Sequence, residues 1–69
     1  MRLRPVDSEM LIAAGYDKKW RILQVIFRTG EAYRYKGVPS SKYAALMSAD
    51  SKGKYMHRYI IGHYPYERV

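Results

Sequence analysis

The 69-residue chain reads as an α+β domain, a three-stranded antiparallel β-meander followed by two short helices packed on one face, in the order βββαα. Three observations predict this. β-branched and aromatic residues concentrate between Trp20 and Val38, as they do in strands. Polar and glycine-containing turns, Asp17-Lys18-Lys19 and Arg28-Thr29-Gly30, divide that region at hairpin spacing. After Pro39 the apolar period changes from two residues to the helical spacing.

The first strand is expected over Ser8–Tyr16, where Met10, Ile12, Ala14 and Tyr16 alternate onto one side. The second runs from Trp20 to Arg28 and the third from Glu31 to Val38, with Gly37 and Pro39 stopping the sheet. The intervening turn decides which side chains face the core. A two-residue Thr29-Gly30 turn would set Tyr33 and Tyr35 beside Ile22 and Ile26. A three-residue turn, with Gly30 in the left-handed position of a bulge, sets them beside Leu23, Val25 and Phe27. The second register is preferred because glycine suits that position and Leu23/Val25/Phe27 is the more apolar face. It leaves Leu11, Ala13, Trp20, Ile22, Gln24, Ile26, Arg28, Ala32, Arg34 and Lys36 on the open face.

In the second half Tyr43, Leu46 and Met47 share one helical stripe, in a helix whose first turn suits Pro39. Ser51 is placed to cap a second helix running to about Gly62. On it Tyr55, Met56, Tyr59, Ile60 and His63 share one face, and Lys54, His57, Arg58 and Ile61 the other. Gly62 and Pro65 end it.

Length and composition bound the rest. Residues 1–69 make one domain, with 1–7 expected as a loose N-terminal arm. A chain this short buries roughly 60% of its unfolded surface. The sequence has no cysteine, and its longest apolar run, Met10 to Ala14, is far too short to cross a bilayer; a cytoplasmic setting without membrane contact is expected. Thirteen Lys and Arg against six Asp and Glu give a formal charge of +7. Between Ala32 and Tyr66 the basic residues are Arg34, Lys36, Lys42, Lys52, Lys54 and Arg58, with Asp50 the only acid. Such a surplus raises encounter rates with phosphate-bearing partners and acidic protein surfaces.

The ordered residues Leu23-x-Val25-x-Phe27, Gly30, Tyr33-x-Tyr35 and Gly37-Val38-Pro39 resemble the KTSC domain. The resemblance continues through Tyr43, Leu46, Ala49-x-Ser51-x-Gly53-x-Tyr55, Ile60 and Tyr64. Met56 stands where that family often has Phe, and Ile61 where a basic residue is common. The family is named for the C-terminus of some lysyl-tRNA synthetases and includes small stand-alone bacterial and phage proteins. The resemblance implies a domain with no established activity, for which RNA binding is suggested by that association.

The residues offer little for catalysis. His57 and His63, six apart on one expected helix, point to different faces and cannot share a metal, and no acid pair is placed for acid–base work. Ser51-Lys52-Gly53-Lys54 lacks the spacing of a phosphate-binding P-loop, and Gly53 is better explained by close packing of the helix on the sheet. No cofactor or enzymatic activity is expected. The chain is expected to bind nucleic acid, RNA above all, with Arg28, Arg34, Lys36, Lys52, Lys54 and Arg58 as contacts and Trp20, if exposed, as a stacking surface. The alternative is a protein-interaction module, an adaptor or a phage-encoded inhibitor of a host complex. It would use Trp20, Ile22, Gln24 and Ile26 on the open sheet face to dock a partner or a second copy of the chain.

Overall fold

The central strands of the computed structural model, which describes residues 2–69, fall where the β-branched and aromatic runs put them. They are β2 (Leu11–Asp17), β3 (Ile22–Phe27) and β4 (Ala32–Lys36). Two further strands extend the expected meander: β1 (Leu3–Pro5) and β5 (Tyr66–Arg68). Among the described residues the sheet is therefore five-stranded and antiparallel, in the order β1-β2-β3-β4-β5, rather than three-stranded. Residues 3–5, expected in a loose arm, pair with Ala13–Gly15; Met1, the first residue of that arm, lies outside the described residues. Both additions are three-residue edge strands, too short for a periodicity signal, and pairing to a formed neighbour is what makes them strands.

The β3–β4 hairpin has the three-residue turn. Phe27 N–H donates to Glu31 O at 2.8 Å and Gly30 N–H to Phe27 O at 2.8 Å, with Gly30 at φ +95°, where a side chain would be strained. Val25 lies opposite Tyr33 and Leu23 opposite Tyr35, so both tyrosines are on the helix-covered face. Tyr35 is buried there and Tyr33 half-buried, edge-on to Phe27.

β2 departs from simple alternation. Leu11 pairs with Phe27 but Ala13 pairs with Ile26, which leaves Ile12 as the extra residue of a bulge. The bulge inverts the parity at its start. Leu11, expected on the open face, is fully buried in the core, and Ile12, expected on the side of Ala14 and Tyr16, is 42% exposed. Ser8–Met10, expected as strand, is a loop: the Ser8 hydroxyl accepts from the N–H groups of Met10 and Leu11.

Helix α1 (Ser40–Ser48) starts after Pro39 and lays Leu46 into the core, with Tyr43 stacked on Tyr16 at 5.2 Å. Helix α2 (Lys52–Tyr55) is capped as expected, Lys54 N–H donating to the Ser51 hydroxyl at 3.2 Å. It does not run on as one α-helix to Gly62. A π-helical turn succeeds it over Met56–Ile60, closed by Ile61 N–H to Met56 O at 2.7 Å. The wider turn holds one residue more and shifts the phase of the residues after it. Met56 and Ile60 stay buried, Tyr59 moves outward, and Ile61, expected on the outer face, is half-buried against the core. His63, expected on the inner face, is exposed in the turn beyond Gly62.

The core is Leu11, Ala14, Leu23, Val25, Tyr35, Val38, Leu46, Met56 and Ile60, between the sheet and the helices. Each large side chain among them contributes roughly 1.5–3 kcal/mol by leaving water. The opposite face, with Ala13, Ile22, Gln24, Ile26, Ala32 and Arg34, has no helix over it among the described residues. No helix among the described residues is long and apolar enough to cross a membrane.

Candidate nucleic-acid interface

The six basic residues singled out in the sequence fall into two groups on different parts of the molecule. Arg34 and Lys36 belong to β4 and Arg28 to the turn after β3, and each has a polar partner. Arg28 donates from Nε to Ser8 O at 2.6 Å and from its backbone to Met10 O at 2.9 Å, and so holds the loop before β2. Arg34 donates from Nε to Gln24 Oε1 at 2.9 Å across the β3–β4 pair. Lys36 pairs with Glu67 of β5 at 3.5 Å. That pair is exposed, worth about 0–1 kcal/mol, and it lowers the local positive charge.

The second group lies on the helical side. Lys52, Lys54 and Arg58 line a groove of about 920 Å³ between the loop Asp7–Met10 and the segment Asp50–Arg58. Lys52 also donates to the carbonyl of Ala49 at 3.1 Å, at the end of α1. Lys54 and Arg58, four residues apart and both exposed, have no carboxylate within ion-pair distance; among the described residues the ion pairs are Lys36–Glu67 and Glu31–Arg68. The floor of the groove is Met10 against Gly53, where an added Cβ would lie 3.3 Å from the Met10 Cβ. Gly53 thus admits close packing of α2 on Met10, in the loop before β2, rather than on the sheet itself as expected.

Arg58 faces a second feature that periodicity misplaced. Tyr59 is 38% exposed, and its ring has Lys42 Nζ at 4.9 Å and the Arg58 guanidinium at 5.7 Å. Tyr55 packs at 4.8 Å on its inner side, and burial, then Tyr59 and Tyr64, push the Tyr55 hydroxyl pKa up. An exposed ring bracketed by two cations, one of which also lines the groove, makes one continuous basic and aromatic surface. The π-helical turn creates it: a regular helix would have kept Tyr59 on the stripe of Met56 and Ile60.

The residues chosen for the open sheet face separate. Ile22, Gln24 and Ile26 are on that face, each half-buried. Trp20 is not. The Asp17 carboxylate accepts from the N–H groups of Lys19 and Trp20, and Arg21 takes φ 55°, so the chain turns through Trp20 before β3 begins. The indole is 65% exposed at the end of the sheet with Lys19 Nζ 5.4 Å from its ring.

Sequence reasoning missed Asp7, Glu9 and Met10, which reach the groove through the fold of the loop before β2. It also missed Tyr66, which stacks on Tyr33 at 5.0 Å as β5 returns to the sheet. Among the described residues no group of three or more His, Cys, Asp or Glu side chains is placed to hold a metal ion.

The KTSC domain profile matches residues 7–64, a span that includes both walls of the groove. The crystal structure of a KTSC domain protein from Yersinia pestis superposes with a TM-score of 0.96 at 34% identity, covering 99% of this chain and 96% of that one. An uncharacterized protein of Stutzerimonas stutzeri (strain A1501) is 37% identical over 70 residues, covering 100% of this chain and 99% of its own length. A lysine–tRNA ligase of Nostoc sp. (strain PCC 7120) is 33% identical over 67 residues, 97% of this chain but 12% of the ligase. The profile match spans most of the chain and the full-length relative covers all of it: this chain belongs to the KTSC domain family.

Proposed function

We propose that the chain is a non-enzymatic cytoplasmic module that binds unpaired RNA over its helical side, through Tyr59, Lys42, Arg58 and Lys54. The observation that carries this reading is Arg58, which stands between the exposed Tyr59 ring and the groove and has no acidic partner among the described residues. Unpaired nucleic acid needs an aromatic face and cations spaced along a backbone. A cation over an exposed ring is worth about 0.5–1 kcal/mol, whereas a stacked base is worth about 1–3 kcal/mol. An incoming base therefore outcompetes Lys42 for the ring and frees its ammonium for phosphate. The net charge of +7 and the match to part of a lysine–tRNA ligase support the reading. Arg28, Arg34 and Lys36 are second to the helical group because each already has a polar partner, the Ser8 carbonyl, Gln24 and Glu67 respectively.

Binding of a labelled single-stranded oligoribonucleotide, measured by anisotropy as salt is raised, tests this. Each phosphate contact contributes about 0.7 to the log–log slope for a single strand. Arg58→Ala is expected to lower the slope by about that amount and Lys36→Ala to leave it unchanged. Tyr59→Ala is expected to weaken binding by about 1–3 kcal/mol with the slope preserved. No binding at low salt would overturn the proposal.

A second reading is carried by the uncovered sheet face, where Ile22 and Ile26 lie without a helix over them and could meet an acidic protein partner or a second copy. It ranks lower because both are half-buried, and the Arg34–Gln24 hydrogen bond lies across the strip between them.

A further inference from the structure

The chain has six acids, and their placement divides them. Asp17 caps the β2–β3 turn, and Glu31 and Glu67 pair with Arg68 and Lys36. The other three, Asp7, Glu9 and Asp50, all line the groove, and no hydrogen bond or ion pair engages any of their carboxylates among the described residues. Opposite charge is at hand, since Lys54 and Arg58 line the same groove, yet no pair closes across it among the described residues. A groove built only for phosphate would exclude carboxylates, because each repels the anion. One built only for a cation would exclude the lysine and arginine. Unengaged charges of both signs fit a ligand that brings hydrogen-bond donors at one end and an anion at the other.

A nucleotide is such a ligand, and the donors distinguish the bases. The Watson–Crick edge of guanine presents N1–H and N2–H side by side, which one carboxylate accepts in parallel as it does the fork of an arginine. Adenine and cytosine place an acceptor nitrogen beside their amine. Uracil has one N–H between two carbonyl oxygens, which a carboxylate repels. The floor of Met10 and Gly53 offers the flat ring an apolar, close-approach surface. We infer that the groove takes an unpaired guanine nucleotide of the bound RNA, its N1–H and N2–H donating in parallel to one carboxylate of the Asp7, Glu9 and Asp50 set and its phosphate held by Lys54 and Arg58. This rests on the proposal that the chain binds RNA and adds base specificity to it. The acids then have a role that a general basic surface gives them no reason to have: they lower affinity for every strand and restore it for guanine.

The test compares the pentaribonucleotides UUGUU, UUAUU, UUCUU and UUUUU on the intact chain. A bidentate contact to a base discriminates by about 1–3 kcal/mol, so UUGUU is expected to bind about 10-fold tighter than UUUUU, with the adenine and cytosine strands near the latter. In the chain carrying Asp7→Asn, Glu9→Gln and Asp50→Asn together, the preference is expected to vanish while UUUUU binds more tightly than before. Amide shifts in the unmodified chain give an independent readout: the guanine strand should perturb Asp7–Met10 and Ser51–Arg58, and UUUUU should leave Asp7–Met10 unmoved. Equal binding of all four pentamers overturns the guanine site and leaves the RNA-binding reading standing. A guanine preference that survives the triple substitution, or shifts confined to residues outside the groove, overturns it too. If no pentamer binds, both readings fall.

Discussion

Among single residues, Tyr35 and Tyr59 show how two tyrosines of one small domain come to opposite uses. Tyr35 is 2% exposed between β3 and the returning β5, its ring 5.5 Å from Tyr66. Burial, then the neighbouring hydroxyls of Tyr33 and Tyr66, push its pKa up to about 12 from 10.0. The unfolded chain loses this proton near pH 10 and the folded chain only near 12, so between them the folded state binds more protons and stability falls as pH rises. The contribution is fully present below pH 10. Urea denaturation at pH 8, 10 and 11 is expected to show a loss on the order of 1 kcal/mol per pH unit above 10. Tyr35→Phe should flatten that part of the profile, and an unchanged alkaline slope would show that Tyr35 does not control it. Tyr59, four residues after Tyr55 and equally aromatic, is left at the surface between Lys42 and Arg58.

At the scale of elements, two local irregularities set the positions of functional and core side chains. The β2 bulge at Ile12 turns Leu11 inward and begins the strand just beyond the Asp7–Met10 loop that forms one wall of the groove. It predicts an inverted response at adjacent positions. Leu11→Ala should cost about 2–5 kcal/mol, as removal of a fully buried leucine does, whereas Ile12→Ala should stay within about 1 kcal/mol. Thermal or chemical denaturation of the two variants decides it, and similar losses would mean that the strand pairs without a bulge. The π-helical turn does the corresponding work on the helical side. It keeps Met56 and Ile60 in the core while carrying Tyr59 out beside Arg58. Both devices insert one residue and change which side chains face solvent without changing composition.

For the whole molecule, helices on one side of a five-stranded sheet leave two unlike surfaces. The helical side carries the exposed ring, the unpaired cations and the groove. The sheet side carries Ile22 and Ile26 with Gln24 and Arg34 joined between them. If the sheet side pairs two copies, Ile26→Glu should convert a dimer to a monomer while RNA affinity holds, as read by sedimentation. A chain that sediments as a monomer both before and after the substitution would remove the dimer reading. Strand order, the parity of the β3–β4 hairpin and the burial of Tyr35 were legible because each rests on contacts within a few residues: a glycine in a three-residue turn and the alternation either side of it. The groove was only half legible. Lys52, Lys54 and Arg58 stand close together in sequence, but Asp7 and Glu9 lie more than forty residues away and carry no local signal.

The amino-acid sequence by itself determined the α+β class, the three central strands, the Ser51 cap, the positive surplus and the family. These rest on composition, short-range turn chemistry and ordered residue types. Only the tertiary structure decided the edge strands, the inward turn of Leu11, the outward turn of Tyr59 and Trp20, and the meeting of three unpaired acids with unpaired cations. Edge strands exist because a formed neighbour offers them hydrogen bonds, and a single inserted residue moves a side chain to the other face with no trace in periodicity. Whether a charge is paired or free depends on the groups that the fold brings beside it, so the features that point to a ligand are those that the linear sequence does not display.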